Sequence, residues 1–334
     1  MISVEGVSKR YGPVVAVDRL SFAVQRGEVV GFLGPNGAGK TTTMRMITGT
    51  LQPDEGAVLL DGVRVTDEPM AAKRRIGYLP EANPLYDELL VSEYLDYVAD
   101  LRGLSPAEAR SGVSDAVDET DIGAVFYRPI AECSKGYRQR IGLASAILHR
   151  PEVLILDEPT EGLDPNQRVE IRRLVGSLGR ERTVLLSTHV MQEVEATCSR
   201  LVILSQGKLA AQGSVQELLA ARTGGARYIV EAEGQGVGDA LGSLAGVRSH
   251  TEEVVNGRVR IQLEAGDEGE LRPAIFRMAR DRGWTLWELH RERASLEQVF
   301  RRLTAEACAT GAVVEEVADE AGGAGSERAE EAQT

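Results

Sequence analysis

The feature that most constrains this 334-residue chain is the glycine-rich segment GPNGAGKT at residues 34–41. It follows the apolar run EVVGFL and precedes the helix-like TTTMRMITG, which is the context that the pattern G-x-x-x-x-G-K-[ST] needs. Gly34, Gly37 and Gly39 let the backbone wrap closely around a phosphate, and the helix N-terminus adds positive potential. The segment predicts nucleotide binding; a turn that merely joins strand to helix is the alternative.

Two side chains of this segment carry the expected chemistry. Lys40 can reach the β- and γ-phosphates of a nucleotide, and the Thr41 hydroxyl can ligate Mg²⁺. The backbone of the other residues would surround the phosphates. We therefore predict that the nucleotide is bound by Gly34, Pro35, Asn36, Gly37, Ala38, Gly39, Lys40, Thr41 and Thr42.

A second polar segment ends another apolar strand, in VLILDEPT at residues 153–160. Successive side chains of a strand face opposite ways, so Asp157 and Glu158 can take different roles. Asp157 suits Mg²⁺ coordination, and Glu158 suits polarising the water that attacks the γ-phosphate. An ordinary pair of charges at a strand end is the alternative, which the phosphate loop makes less favoured.

Further segments follow in a characteristic order: KRYG ending near Tyr11, SKGYRQR at 134–140, GLDP at 162–165, and His189 directly after TVLLST. Over about residues 1–215, this order resembles the ATP-binding subunit of ATP-binding cassette (ABC) transporters. The resemblance implies ATP and Mg²⁺ as cofactors.

Tyr11 and His189 are matched to single positions of that family. The resemblance implies that Tyr11 stacks on adenine and that His189 contacts the γ-phosphate, as a catalytic switch beside Glu158. Taken alone, Tyr11 is an ordinary tyrosine, and His189 a helix cap or a core histidine. A metal site formed by His189 and Glu193, four apart on one helix, lacks a third ligand.

The segment at 134–140 occupies the place of the family signature. The resemblance implies that Ser134, Lys135 and Gly136 bind the γ-phosphate of the partner subunit's nucleotide, and that Asp164 lies at the dimer seam. Ser134 would cap a helix and turn its N-terminus toward a phosphate, although a simple N-cap is the plainer interpretation.

Two positions depart from the family pattern. Glu81 in YLPEANPLY stands where a glutamine is usual, and the signature has Cys133, Lys135 and Tyr137 in place of Leu, Gly and Gln. Glu81 can still ligate Mg²⁺, so the predicted metal ligands are Thr41, Glu81 and Asp157. Lys135 adds positive charge near the partner's phosphates.

The fold class predicted is α/β: a P-loop cassette at 1–220 with a helical subdomain at about 88–150, and a small α+β domain at 226–304. The smaller domain follows a glycine-rich break at Gly224 and Gly225 and reads as a ferredoxin-like βαββαβ unit, with a hairpin at Asn256-Gly257 and a final helix, SLEQVFRRLT. Residues 305–334 are Ala-, Gly- and Glu-rich, which predicts a disordered acidic tail.

The formal net charge is −13, with 38 Lys and Arg against 51 Asp and Glu. Residues 306–334 contribute 7 of these negative charges. A nucleic-acid-binding domain would be basic, so no nucleic-acid partner is expected. No run approaches the ~18 apolar residues of a membrane span, the N-terminus lacks the apolar core of a signal peptide, and the three cysteines are scattered. We expect a cytoplasmic protein.

YLPE-NPLY, SKGYRQR and SLEQVFRRLT look like the exporter branch of the family, in particular ABC-2 subunits of the gliding-motility and multidrug type. The resemblance implies a Mg²⁺-dependent ATPase that works as a head-to-tail pair, a homodimer in our prediction. It also implies a separate permease docked on the helical insertion, which would hold the subunit at the cytoplasmic side of the membrane. The alternative is a non-transport cassette protein acting on ribosomes or DNA, which the single phosphate loop and the lack of a long heptad run disfavour.

Overall fold

The computed structural model describes residues 1–222, 226–255, 257–266, 270–292, 296–297 and 299–301. The chain divides into two compact units. The larger comprises Met1–Val215 and the described residues from Phe300 onward, and the smaller comprises Gln216–Val299. The predicted acidic tail and the linker glycines Gly224 and Gly225 lie outside the described residues.

The larger unit combines strands and helices along the whole chain from β3 onward. In chain order they are β1 (Ile2–Tyr11), β2 (Val14–Val24), β3 (Val29–Leu33), α1 (Lys40–Ile47), β4 (Glu55–Leu60), β5 (Val63–Arg64), α2 (Pro69–Arg75), β6 (Ile76–Leu79), α3 (Val91–Leu101), α4 (Pro106–Thr120), α5 (Lys135–Ile147), β7 (Val153–Asp157), α6 (Pro165–Leu178), β8 (Thr183–Thr188), α7 (Met191–Thr197), β9 (Arg200–Ser205) and β10 (Lys208–Ser214).

The main sheet of the larger unit has the strand order β10-β9-β3-β8-β7-β6. All neighbours pair in parallel except β10, which runs antiparallel to β9 at one edge. Strands β7 and β8 are buried along their whole length, as expected for strands covered on both faces. Because β3, β8 and β7 are neighbours, the loops at their carboxyl ends meet at one edge of the sheet, where ligands bind in open α/β folds.

A second sheet, of order β2-β1-β4-β5, is antiparallel throughout and was not predicted from the sequence. Its apolar face shares one core with the main sheet, for example through Phe22 and Phe32, whose ring centroids are 5.3 Å apart. The β1–β2 hairpin lies beside the phosphate loop, because a Cβ added to Gly39 would lie 2.5 Å from the carbonyl oxygen of Ala16.

The stretch from about residue 88 to residue 150 is helical, as predicted. It consists of α3, α4, α5 and two short 3₁₀ turns, with one isolated bridge between Leu90 and Pro129. Helix α4 begins with a capping box, in which the Ser105 hydroxyl accepts from the N–H of Glu108 and the Glu108 carboxylate accepts from the N–H of Ser105. Ser134 caps α5, also as predicted.

After helix α8 (Val215–Arg222), the smaller unit has the predicted βαββαβ order, and its sheet order, β12-β13-β11-β14, is ferredoxin-like. The turn of the predicted hairpin lies between the paired Val255 and Arg258, with Gly257 at a φ of 79°. Trp284 is buried in the core of this unit, and Trp287 is half-exposed. Of the final predicted helix, the described residues 296–297 and 299–301 are helical. The elements are β11 (Ala226–Glu233), α9 (Val237–Gly242), β12 (Val247–Val255), β13 (Arg258–Ala265), α10 (Arg272–Arg282) and β14 (Thr285–Glu292).

Candidate active site

The glycine-rich segment connects β3 to α1, and its conformation depends on glycine. Gly37 and Gly39 have φ values of 81° and 98°, in the left-handed region that favours glycine. A Cβ added to Gly34 would lie 2.8 Å from Cβ of Ala38. Residues 35–37 are exposed, so the crest of the loop faces solvent. The loop is therefore both tightly packed at its base and open to a ligand at its crest.

Lys40, the first residue of α1, folds back over this loop and is only 7% exposed. Its Nζ donates to the carbonyl oxygens of Gly34, at 2.9 Å, and Pro35, at 3.4 Å. The N-cap of α1 is Gly39, which offers no side-chain acceptor to the first turn. A lysine ammonium and the N–H groups of a helix end thus converge on the loop, which is the electrostatic arrangement that binds phosphate.

Asp157 ends β7 and is fully buried. The hydroxyl of Ser187, on the neighbouring strand β8, donates to Asp157 Oδ1 at 2.5 Å. Oδ2 is buried and has no hydrogen-bond partner among the described residues. Because an unpaired buried carboxylate oxygen is costly, this atom fits a cation or a water molecule bound to one.

Glu158 does not continue the strand, which corrects the sequence-based reasoning. The strand ends at Asp157, and Glu158 has a φ of 49°, in the left-handed region. Its N–H donates to the carbonyl oxygen and the hydroxyl of Ser187, at 3.2 and 3.0 Å. The two carboxylates are separated by this turn of the backbone, and not by the alternation of a strand.

The Glu158 carboxylate lies between two cationic or potentially cationic groups. Oε1 is 3.4 Å from Lys40 Nζ, and Oε2 is 3.0 Å from Nδ1 of His189. The glutamate side chain is 7% exposed and the histidine 49%. A carboxylate held this way, at the mouth of a phosphate loop, can orient and polarise a water molecule.

His189 precedes α7 and therefore does not share a helix with Glu193. The one-helix spacing assumed for a metal site formed by these two residues is wrong. His189 contacts Glu158, whereas Glu193 is buried and accepts hydrogen bonds from Thr160 and Thr188. Over the part of the chain that the structure describes, no group of three or more His, Cys, Asp or Glu residues could hold a metal ion.

Glu81 is exposed in the loop after β6, and its pKa is raised by partial burial and then by the negative charges of Glu161, Asp157 and Glu158. Burial, with the charge of Asp157, also raises the pKa of Tyr78 to about 12. Negative charge is thus concentrated at this edge of the sheet, where a divalent cation would relieve the repulsion.

The residues present fit a Mg²⁺ ion that arrives with a nucleotide. Magnesium usually keeps several waters and is bound through one or two carboxylates and the substrate's phosphates, so a complete protein cage is not required. The Thr41 hydroxyl, Glu81 and the unpartnered oxygen of Asp157 are oxygen donors of the preferred kind.

A second surface is formed by the start of α5 and the start of α6. The Ser134 hydroxyl accepts from the N–H of Tyr137 at 3.3 Å, and the Asp164 carboxylate accepts from the N–H of Gln167 at 2.9 Å. The Lys135 ammonium lies against Gly162, and a Cβ added to Gly136 would lie 3.0 Å from Cδ of Gln167. Ser134 and Asp164 thus each cap their own helix, and the segments around these two helix starts contact each other.

A family model described as "ABC transporter" matches residues 17–161. The chain is 36% identical over 309 residues to daunorubicin resistance ATP-binding protein DrrA3 of Streptomyces coeruleorubidus, covering 91% of this chain and 96% of that one. It is 37% identical over 304 residues to Nod factor export ATP-binding protein I of Burkholderia thailandensis, with the same coverage of both chains. The chain belongs to the ATP-binding subunits of ABC transporters.

Solved structures of ABC subunits have the same fold. One is cbiO1 of Clostridium perfringens, described as part of the ABC transporter complex cbiONQ: it is 30% identical, with a TM-score of 0.60, and the match covers 66% of this chain and 90% of that one. The predicted family and P-loop cassette fold are confirmed. The relatives of nearly full length are named for export and resistance, so the exporter branch is confirmed over the ribosome- or DNA-directed alternative.

Lys40 of the phosphate loop, Glu158 and His189, three of the positions matched to family motifs, converge in the structure. Tyr11, matched to the adenine-stacking position, ends β1 and is 47% exposed, on the hairpin that packs against Gly39. Its ring is thus free to meet a ligand beside the loop.

The sequence interpretation of this ABC subunit missed Ser187, Glu161 and Gln167. Ser187 could have been found, because it lies directly opposite Asp157 in the parallel register of β7 and β8. The contacts of Glu161 and Gln167 depend on how the loops fold in three dimensions, and no periodic pattern in the sequence indicates that. No helix in the described ranges is long and apolar enough to cross a membrane.

Proposed function

We propose that this ABC subunit drives an exporter by Mg²⁺-dependent ATP hydrolysis at sites formed between two copies of the chain. The observation that carries this proposal is the position of Glu158, with its two carboxylate oxygens 3.4 Å from Lys40 and 3.0 Å from His189. The paired groups stand at the mouth of a loop shaped for phosphate.

Each chemical role then falls to a group whose position supports it. Lys40 would exchange the carbonyl oxygens of Gly34 and Pro35 for charged phosphate oxygens, which are stronger acceptors. Glu158 would polarise the attacking water, and His189 would hold the carboxylate in place and contact the γ-phosphate. Thr41, Glu81 and Asp157 would hold Mg²⁺, which would supply positive charge to offset the charge of the nucleotide's phosphates.

The second surface supports the dimer part of the proposal. Ser134 and Lys135 are exposed at the N-terminus of α5, and Gly136 beside them is buried next to Gln167. The 13 residues of α5 make a helix long enough to carry a dipole. In the proposed head-to-tail homodimer, this end meets the γ-phosphate held by the other copy's loop, and Asp164 lies at the seam. Cassettes of this family dimerise, which is consistent with this arrangement.

A membrane partner completes the proposal. The helical region at about 88–150 would dock a separate permease, which places the subunit peripherally at the cytoplasmic side of the membrane. The names of the full-length relatives, for Nod factor export and daunorubicin resistance, support an exported small molecule as cargo. In domain terms, the cassette at 1–220 would hydrolyse ATP, and the unit at 226–304 would be an accessory domain.

The test is Glu158→Gln, which keeps the side chain's shape and removes its charge. We expect ATP affinity within a few-fold of the wild type, a stable ATP-dependent dimer, and turnover reduced by about 10²–10⁴-fold. Turnover, equilibrium ATP binding and sedimentation would be measured with and without EDTA. The exposed Glu195→Gln is the matched control. Undiminished hydrolysis by Glu158→Gln, or hydrolysis that survives EDTA, would overturn the proposed chemistry.

A further inference from the structure

Glu193, on α7, is a buried carboxylate at 2% exposure. Among the described residues no salt bridge includes it, and its Oε1 is buried without a hydrogen-bond partner. Burying a charge without a counter-ion costs several kcal/mol, and an apolar residue would avoid that cost. The need to fill this buried position therefore does not explain why a carboxylate, and not an apolar side chain, occupies it.

The other oxygen of Glu193 joins two loops. Its Oε2 accepts hydrogen bonds from Oγ1 of Thr160, at 2.7 Å, and from Oγ1 of Thr188, at 3.1 Å. Both threonines are buried, at 5% and 0% exposure. The Thr188 hydroxyl in turn accepts from the N–H of Val190 at 3.0 Å. One carboxylate oxygen thus ties the loop after β7 to the end of β8 and the turn into α7.

The two tied residues flank the proposed catalytic pair. Thr160 is two residues after Glu158, and Thr188 is the residue before His189. Glu158 and His189 contact each other at 3.0 Å, which closes a ring of contacts through Glu193. Threonine has few χ1 choices, so a hydrogen bond that fixes its hydroxyl also restrains its backbone.

We propose that Glu193 is a positioning residue for the hydrolysis reaction, holding Glu158 and His189 at their working separation through Thr160 and Thr188. A charged acceptor forms stronger hydrogen bonds to hydroxyls than a neutral one. The proposal rests on the function proposed above for Glu158 and His189.

The experiment compares Glu193→Ala, Glu193→Gln and Thr160→Val in the full chain, with Glu195→Gln as a control on the same helix. Thr160→Val removes one hydroxyl with little change of shape. We expect Glu193→Ala and Thr160→Val to lower kcat by about 10- to 100-fold, because small misplacements of reacting groups are costly. KM and the ATP dissociation constant should stay within about threefold, since the Lys40 loop is untouched. Glu193→Gln should recover much of kcat, because its amide oxygen can accept both hydroxyls.

A double variant shows through which residue Glu193 acts. In a Glu158→Gln background, Glu193→Ala should cause little further loss of turnover, since residues that act as a unit are not additive. Thermal unfolding and ATP affinity, measured alongside, separate positioning from loss of fold. If Glu193→Ala does not fold, Thr160→Val and Glu193→Gln decide the question.

Three results would overturn the role of Glu193: wild-type kcat in Thr160→Val, a fall in kcat matched by an equal loss of ATP affinity, or fully multiplicative losses in the double variant. These results are distinct from failure of the proposed function. If the wild type does not hydrolyse ATP, or if Glu158→Gln remains active, the proposed function itself fails. An active wild type that needs Glu158 but tolerates Thr160→Val contradicts the role of Glu193 alone.

Discussion

Oε2 of Glu158 lies 3.0 Å from Nδ1 of His189, and this contact joins the loop after β7 to the loop after β8. The glutamate is nearly buried, whereas the histidine is half-exposed. The other carboxylate oxygen of Glu158 lies 3.4 Å from Lys40, while His189 keeps half of its side chain open to solvent.

We predict that His189→Ala lowers kcat about 10- to 100-fold and weakens ATP binding by much less, because it frees the Glu158 carboxylate and removes one γ-phosphate contact while the phosphate loop stays intact. Steady-state kinetics and equilibrium ATP binding check this. His290→Ala, in the smaller unit, is the control and should behave as the wild type. Equal losses in kcat and affinity would mean that His189 mainly binds nucleotide.

Gly39 and Gly37 allow a matched comparison within the phosphate loop. Both have positive φ, but a Cβ on Gly39 would lie 2.5 Å from the Ala16 carbonyl oxygen, whereas a Cβ on Gly37 meets nothing within 4 Å. We expect Gly37→Ala to cost about 1–2 kcal/mol of unfolding free energy, the backbone penalty alone. Gly39→Ala should cost clearly more and also displace the β1–β2 hairpin. Denaturant unfolding of both variants measures these losses of unfolding free energy. Equal losses in the two variants would contradict the prediction.

Lys135 stands where a glycine is usual in the ABC signature, and its ammonium lies against Gly162. If it supplies charge to the partner's nucleotide, Lys135→Gln should weaken ATP-dependent dimerisation at low salt and converge with the wild type at high salt, because salt screens exposed charges. Sedimentation at several ionic strengths measures this, with the exposed Lys73→Gln as control. Identical dimerisation at all salt concentrations would exclude the charge role.

His149, after α5, is partly buried, and its Nε2 lies 3.2 Å from the carbonyl oxygen of Ile76. Burial, with the nearby charge of Arg102, lowers the pKa of His149 to about 4 from an ordinary 6.5. The unfolded chain therefore binds a proton at a higher pH than the folded chain, so stability falls as pH decreases from about 6.5 toward 4. We expect His149 to account for about 2 kcal/mol of the stability lost between pH 7.5 and pH 5.

Urea unfolding at both pH values, compared with the non-titrating His149→Gln, measures the contribution of His149. The free energy of unfolding of the wild type minus that of the variant should be larger at pH 7.5 than at pH 5. A difference that does not change with pH would contradict the lowered pKa.

The sequence by itself determined an α/β unit with a phosphate loop, the βαββαβ unit, and the placement of Gly34, Lys40, Asp157, Glu158 and His189 at or just after strand ends; the cassette followed from the resemblance in motif order. These follow from local signals: a glycine pattern between strand and helix, apolar runs of fixed length, and an Asn-Gly hairpin step. Such signals depend only on neighbours along the chain.

Only the tertiary structure decided how those side chains meet. The left-handed turn at Glu158, the Ser187 contact to Asp157, the antiparallel second sheet and the buried Glu193 between two threonines all join residues far apart in the chain. Their positions depend on strand order and on loop closure, and these are set by packing over the whole core and not by any local pattern. The sequence predicted which groups carry the chemistry, and the fold fixed their distances and burial.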